Sequence, residues 1–186
     1  HRRAAYIFGE LLGDLEAAAA ALVSGKHWRE AAVLYRDRLG RPWDAARCLE
    51  QGGLWTEAIA AYQQRGAYEK VGDLYALLEQ PDQAVKAWRQ AVREHDRTGN
   101  HLEAARLLEH KIHSPDEALQ RLDSGWPSSR QAAQCLIESY QLLGRLGRHE
   151  EARRRVDAST WRKLPESAVG PLLSTLTGLA TGYPDE

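Results

Sequence analysis

Apolar residues recur along this chain at helical spacing, and one short pattern of small, large and polar positions is written again and again. Aligning on the small residue that follows an acidic or polar one brings together "HWREAAVLY" at Ala31, "PWDAARCL" at Ala45, "WTEAIAAY" at Ala58, "YEKVGDLY" at Val71 and "PDQAVKAW" at Ala84. These anchors step by 14, 13, 13 and 13 residues. "HLEAARLL" at Ala104, "PDEALQRL" at Ala118 and "HEEARRRV" at Ala152 continue the series after steps of 20, 14 and 34. Such self-similarity marks units that bury their apolar faces only by stacking on one another.

Each unit has the same parts. Three residues before the anchor stands an aromatic, proline or histidine: Trp28, Pro42, Trp55, Tyr68, Pro81, His101, Pro115 or His149. The residue directly before the anchor is acidic in six of eight units (Glu30, Asp44, Glu57, Glu103, Glu117, Glu151), which suits the positive end of a helix dipole. Four residues after the anchor comes a large apolar group: Tyr35, Leu49, Tyr62, Tyr75, Trp88, Leu108, Leu122 or Val156. Positions four apart share a helix face, so small anchor and large partner form one stripe. Gly40, Gly53, Gly66, Gly99 and Gly147 come two residues before the aromatic, proline or histidine, where a helix must stop. Trp28, Ala31, Tyr35, Trp55, Ala58, Tyr62, Tyr68, Tyr75, Ala84 and Trp88 are therefore expected to pack between helices.

A step of 13 leaves roughly 9 helical residues, too few for a helix that is stable alone in water. Each helix must lean on its neighbours, which predicts an all-α fold, an alpha solenoid of short antiparallel helix pairs. The pattern places helices near 3–12, 15–24, 28–38, 42–51, 54–64, 67–79, 81–97, 100–112, 115–123, 129–145 and 148–159. No useful length alternates with period two, so no strand is predicted. "GWPSSR", Gly125 to Arg130, is the clearest break. It separates short-helix repeats over 1–124 from a further helix pair over 125–160, and 161–186 reads as a weakly structured C-terminal cap or tail with a weak helix near 172–179.

The "A…Y…G…W/Y…EA" rhythm, clearest from Trp28 to Trp88, resembles a tetratricopeptide-type α solenoid. Two double steps take 53 residues (84 minus 31), about 26.5 each, against the usual 34 of that family. The short helices are more similar to those of clathrin heavy chain and coatomer legs, or of helical arms attached to β-propellers. "AAYIFGELLGD", "EAAVLYRD" and "EKVGDLYALL" also resemble helical regions of large bacterial proteins associated with MoxR-type ATPases, von Willebrand A domains and β-propellers. The solenoid resemblance covers residues 3 to 160. It implies a protein-interaction scaffold within a larger bacterial protein, docking a partner polypeptide, and not an enzyme. The runner-up is an intramolecular spacer or assembly arm that touches only other domains of its own chain.

Composition sharpens this picture little. Twenty-five basic and 26 acidic residues give a net charge of −1, so nothing draws the whole chain to nucleic acid or anionic membrane. The longest apolar run, "AAAAALV" from Ala17 to Val23, falls far short of the roughly 20 residues that span a bilayer. Cys48 and Cys135 lie 87 residues apart (135 minus 48) in apolar helical contexts, which suits buried thiols in the cytoplasm better than a disulfide. The chain opens "HRRAAY" without methionine and reads as a piece of a longer protein.

No phosphate loop, dinucleotide motif, nucleophile elbow or zinc-protease motif is present, and the expectation is no cofactor, no metal and no small-molecule substrate. "HKIH" offers His110 and His113 as a metal pair, but without a third ligand they read as solvated histidines at a helix end. In "RHEEARRRV", Glu150 faces Arg154 and Glu151 faces Arg155, leaving Arg148 and Arg153 least compensated. Nucleic acid would need an unopposed basic stripe. Partner contacts are placed one turn away from the packing stripe, at Arg36, Gln63, Gln64 and Arg89, together with Arg148 and Arg153.

Overall fold

The computed structural model describes residues 1–127, 129–156 and 166–181, and every regular element among them is helical. The chain enters through α1 (Arg2–Tyr6), which runs on as a π-helical turn, Ile7–Leu11. Then follow α2 (Leu15–Ser24), α3 (Trp28–Asp37), α4 (Pro42–Gln51), α5 (Trp55–Gln63) and α6 (Tyr68–Leu77). α7 (Pro81–Arg97) is longer, and after it come α8 (His101–His110), α9 (Pro115–Gly125), α10 (Ala132–Arg145) and α11 (His149–Arg155). The last described element is α12 (Glu166–Thr181). Helices α2 to α6 pack each on the next, as do α8 to α11, and α12 packs on α10. The fold is an all-α helical repeat.

One local device ends most of these helices. Gly13, Lys26, Gly40, Gly53, Gly66, Glu79, Gly99, His113 and Gly147 have left-handed backbone, with φ between 56° and 70°. Each stands five residues before a buried small residue: Ala18, Ala31, Ala45, Ala58, Val71, Ala84, Ala104, Ala118 or Ala152, none more than 6% exposed. Ala18 is thus a further anchor, hidden in the sequence by the alanine run around it. At α4 the Leu54 N–H donates to the Leu49 carbonyl (2.9 Å) and the Gly53 N–H to Glu50 (3.0 Å), satisfying carbonyls that a helix end leaves open. After α3 and α8 the turn is one residue wider, with Arg41 N–H donating to Tyr35 (2.7 Å) and Ser114 N–H to Leu108 (2.8 Å). These wider turns produce the two 14-residue steps.

The residue after the anchor is small and buried as well in several helices: Ala19, Ala32, Ala46, Gly72 and Ala105. Two small residues abreast let neighbouring helices approach, and large side chains such as Tyr62 and Leu108, each 1% exposed, fill the space between. Burial of one such side chain contributes about 2 kcal/mol. A second close approach explains part of the aromatic column. A Cβ at Gly52 would lie 2.6 Å from Trp28 Cβ, one at Gly25 2.4 Å from His1 Cβ, and one at Gly125 3.2 Å from His101 Cβ. In all three cases glycine follows the ring by 24 residues.

The chain divides into two compact units, 1–87 and 88–186, with the division inside α7. In the first, Ala31, Ala45, Ala58, Ile59, Tyr62 and Leu74 form a core against which Trp28, Tyr35, Trp55 and Tyr75 are partly buried. In the second, Trp88, Leu108, Leu122, Cys135, Tyr140 and Leu143 are buried. Val156 departs from its expected packing role: the chain is extended there and the side chain is 40% exposed. α12 begins six residues before the weak helix expected at 172 (172 minus 166), and it buries Ala168 and Leu172.

Candidate interaction grooves

The repeat register that buries the anchor exposes the columns beside it. On α3 these are Arg29, Val33 and Arg36, and on α5 they are Glu57, Ala60 and the cap residue Gln64, with the half-buried Ala61 beside them. Between the two helices, over Pro42 and Leu49 of α4, lies an open groove of about 340 Å³. Val33 is 45% exposed within it, and Arg65 stands at its edge.

The second unit repeats the arrangement. Leu102, Ala105, Arg106 and Glu109 sit relative to Ala104 as Arg29, Ala32, Val33 and Arg36 sit relative to Ala31, and Leu122 takes the place of Leu49. The resulting groove between α8 and α10 has about 320 Å³. Its rim carries the opposite balance. Arg106 pairs with Glu103 (3.2 Å), Arg145 donates to both oxygens of Glu109 (2.9 and 3.0 Å), and Glu138 accepts from Gln134 (3.2 Å).

The residues expected to make partner contacts have different surroundings. Arg36 and Gln64 line the first groove, and Gln63 is exposed on α5. Arg36 binds Asp37 through Nε (2.7 Å) and Nη2 (3.0 Å), and this pairing raises its already high pKa. Arg89 instead braces α7 against α9, donating from both terminal nitrogens to Glu117 at 2.9 Å. Arg148 is compensated, contrary to expectation: its Nη1 lies 2.5 Å from Asp116 Oδ1 and 3.9 Å from Glu151. The sequence could not show this, because Asp116 lies 32 residues away on α9. Arg153 is exposed on α11. The expected pairs Arg154–Glu150 (3.0 Å) and Arg155–Glu151 (2.6 Å) form, and Arg155 also reaches Asp123 (2.8 Å).

The acidic column has a second role that helix-dipole reasoning missed. Arg2 grips Glu30, Arg29 grips Glu57 and Arg89 grips Glu117, each across 28 residues. The three acids were visible in the sequence as the residue directly before Ala31, Ala58 and Ala118, but of the three arginines only Arg29 holds a column position, two residues before Ala31. His110 Nε2 lies 3.7 Å from Glu109, and His113 occupies one of the left-handed turn positions. Among the described residues no cluster of three or more histidine, cysteine or acidic side chains could hold a metal ion. Cys48 and Cys135 are free and buried, and burial pushes both thiols above their usual pKa, away from the thiolate that reacts. Among the described residues no helix is long and apolar enough to cross a membrane.

No protein-family model matches the chain, and no curated protein matches it in sequence.

Proposed function

We propose that this chain is a protein-interaction module whose exposed columns dock a partner polypeptide. The observation that carries this reading is the open α3–α5 groove, in which the repeat register places an exposed Val33 and the small Ala60 and Ala61 among polar and charged side chains. A helical repeat offers much surface per residue and needs no enclosed pocket to bind. The grooves have the volume of small sites that receive a few side chains. The resemblance of the repeat to tetratricopeptide-type and clathrin- or coatomer-type arrays supports the same reading.

The test is an affinity capture from an extract of the producing cells, using the chain and its Ala60→Trp variant. Ala60 is exposed, so the bulky side chain fills the groove without entering the core, and unchanged melting verifies that. The expected result is a captured protein lost with Ala60→Trp. If both samples hold the same proteins, the groove docks nothing, and the array is an arm that contacts only its own chain.

A further inference from the structure

We infer that the α3–α5 groove accepts an acidic segment of its partner, with an aliphatic side chain against Val33, Ala60 and Ala61 and carboxylates on Arg36 and Arg65. This rests on the docking reading above and adds the chemistry of the partner. The groove is lined by three arginines, Arg29, Arg36 and Arg65, against one acid, Glu57, an excess of two positive charges (3 minus 1) on a chain whose net charge is −1. Counting Asp37, which Arg36 holds, still leaves an excess of one.

The donors are suitably placed. Arg36 uses Nε and Nη2 on Asp37, and Arg29 uses the same two nitrogens on Glu57. In both, the Nη1 donors of the guanidinium fork are left over for an incoming carboxylate. The Arg36–Asp37 pair is solvent-exposed, 59% and 49% at its two side chains. Such pairs are weakly held and exchange partners easily. The depth comes from the alanines, which leave room for an aliphatic side chain where a larger residue would close the groove. The equivalent groove of the second unit has Arg106 and Arg145 against Glu103, Glu109 and Glu138. One chain therefore contains the site and its own control of opposite sign. Nucleic acid suits the first groove less well, since Arg29 and Arg36 are already paired with Glu57 and Asp37, where strong binding of nucleic acid needs an unopposed basic stripe.

The probes are two fluorescent pools of short random peptides, one of Asp, Glu, Leu and Ala, the other with Lys in place of the acids, titrated into the full chain at low salt. The acidic pool should bind saturably, with affinity falling roughly tenfold for each of Arg36→Glu and Arg65→Glu. Arg106→Glu should leave binding unchanged, and Ala60→Trp, which alters no charge, should weaken it. Equal binding of the lysine pool, equal loss with Arg106→Glu, or displacement by single-stranded RNA would overturn the assignment. The first of these leaves the docking reading standing. Binding of neither pool also overturns the assignment, and the docking reading is then decided by the Ala60→Trp capture.

Discussion

Tyr62 shows how residue identity, packing and hydrogen bonding combine at one position. It is 1% exposed, its ring centroid lies 6.0 Å from that of Trp43, and its hydroxyl donates to Glu50 Oε2 at 2.6 Å. Burial, then the Glu50 hydrogen bond, keep the phenol neutral far above its usual range. Tyr62→Phe is expected to cost about 2 kcal/mol near neutral pH, the usual worth of a hydrogen bond to a carboxylate. The folded-state pKa is raised, so this contribution is complete below the unfolded value of about 10 and is lost as pH rises beyond it. Thermal melts across alkaline pH should show the native chain losing stability more steeply than Tyr62→Phe. The packing role of Tyr62 was legible from its place four residues after Ala58. The need for glycine at 52 was not, because it depends on which ring comes to rest above it.

At the scale of the helix, the left-handed turn residue does most to define the element. Three of the nine such positions carry side chains that disfavour this backbone, Lys26, Glu79 and His113. Glu79→Gly should stabilise the chain by about 1 kcal/mol, a rise in Tm of roughly 2–4 °C, whereas Gly53→Ala should lower it by a similar amount. Calorimetry of the two variants beside the native chain checks both signs. The same device explains the irregular 20-residue step. α7 has 17 residues where α6 has 10, an excess of seven, close to two helical turns at 3.6 residues per turn. α7 is thus lengthened without rotating its faces, and Ala84 and Trp88 keep their places in the pattern with 0% and 8% exposure. Helix positions were legible because anchor and glycine recur together. α12 was legible only in part, as a weak helix near 172–179, since "PESAVGPLLSTLTGLATG" follows no repeat and its burial comes from α10.

For the whole molecule, each unit has its own core, so damage to one should stay local. Ala58 and Ala118 are 0% exposed anchors, one in each unit. Enlarging either to leucine should cost about 1–3 kcal/mol through overpacking. Native-state hydrogen exchange should then show Ala58→Leu loosening α4 to α6 while α8 to α10 keep their protection, and Ala118→Leu doing the reverse. Uniform loss of protection in both variants would mean that the two cores melt as one. The opposite rims of the two grooves were written in the sequence but not readable there, because only the fold shows which helices share a groove. The pairs across 28 residues bear on how such a chain can grow. Arg29 and Glu30 are adjacent, yet each bonds to a residue one repeat away, Arg29 forward to Glu57 and Glu30 back to Arg2. A gene segment encoding such a dipeptide once per 27-residue block, when copied in tandem, sets the arginine of one copy 28 residues before the glutamate of the next. Duplication then supplies both halves of the new contact at once, and the array can lengthen without waiting for a second mutation to match the first.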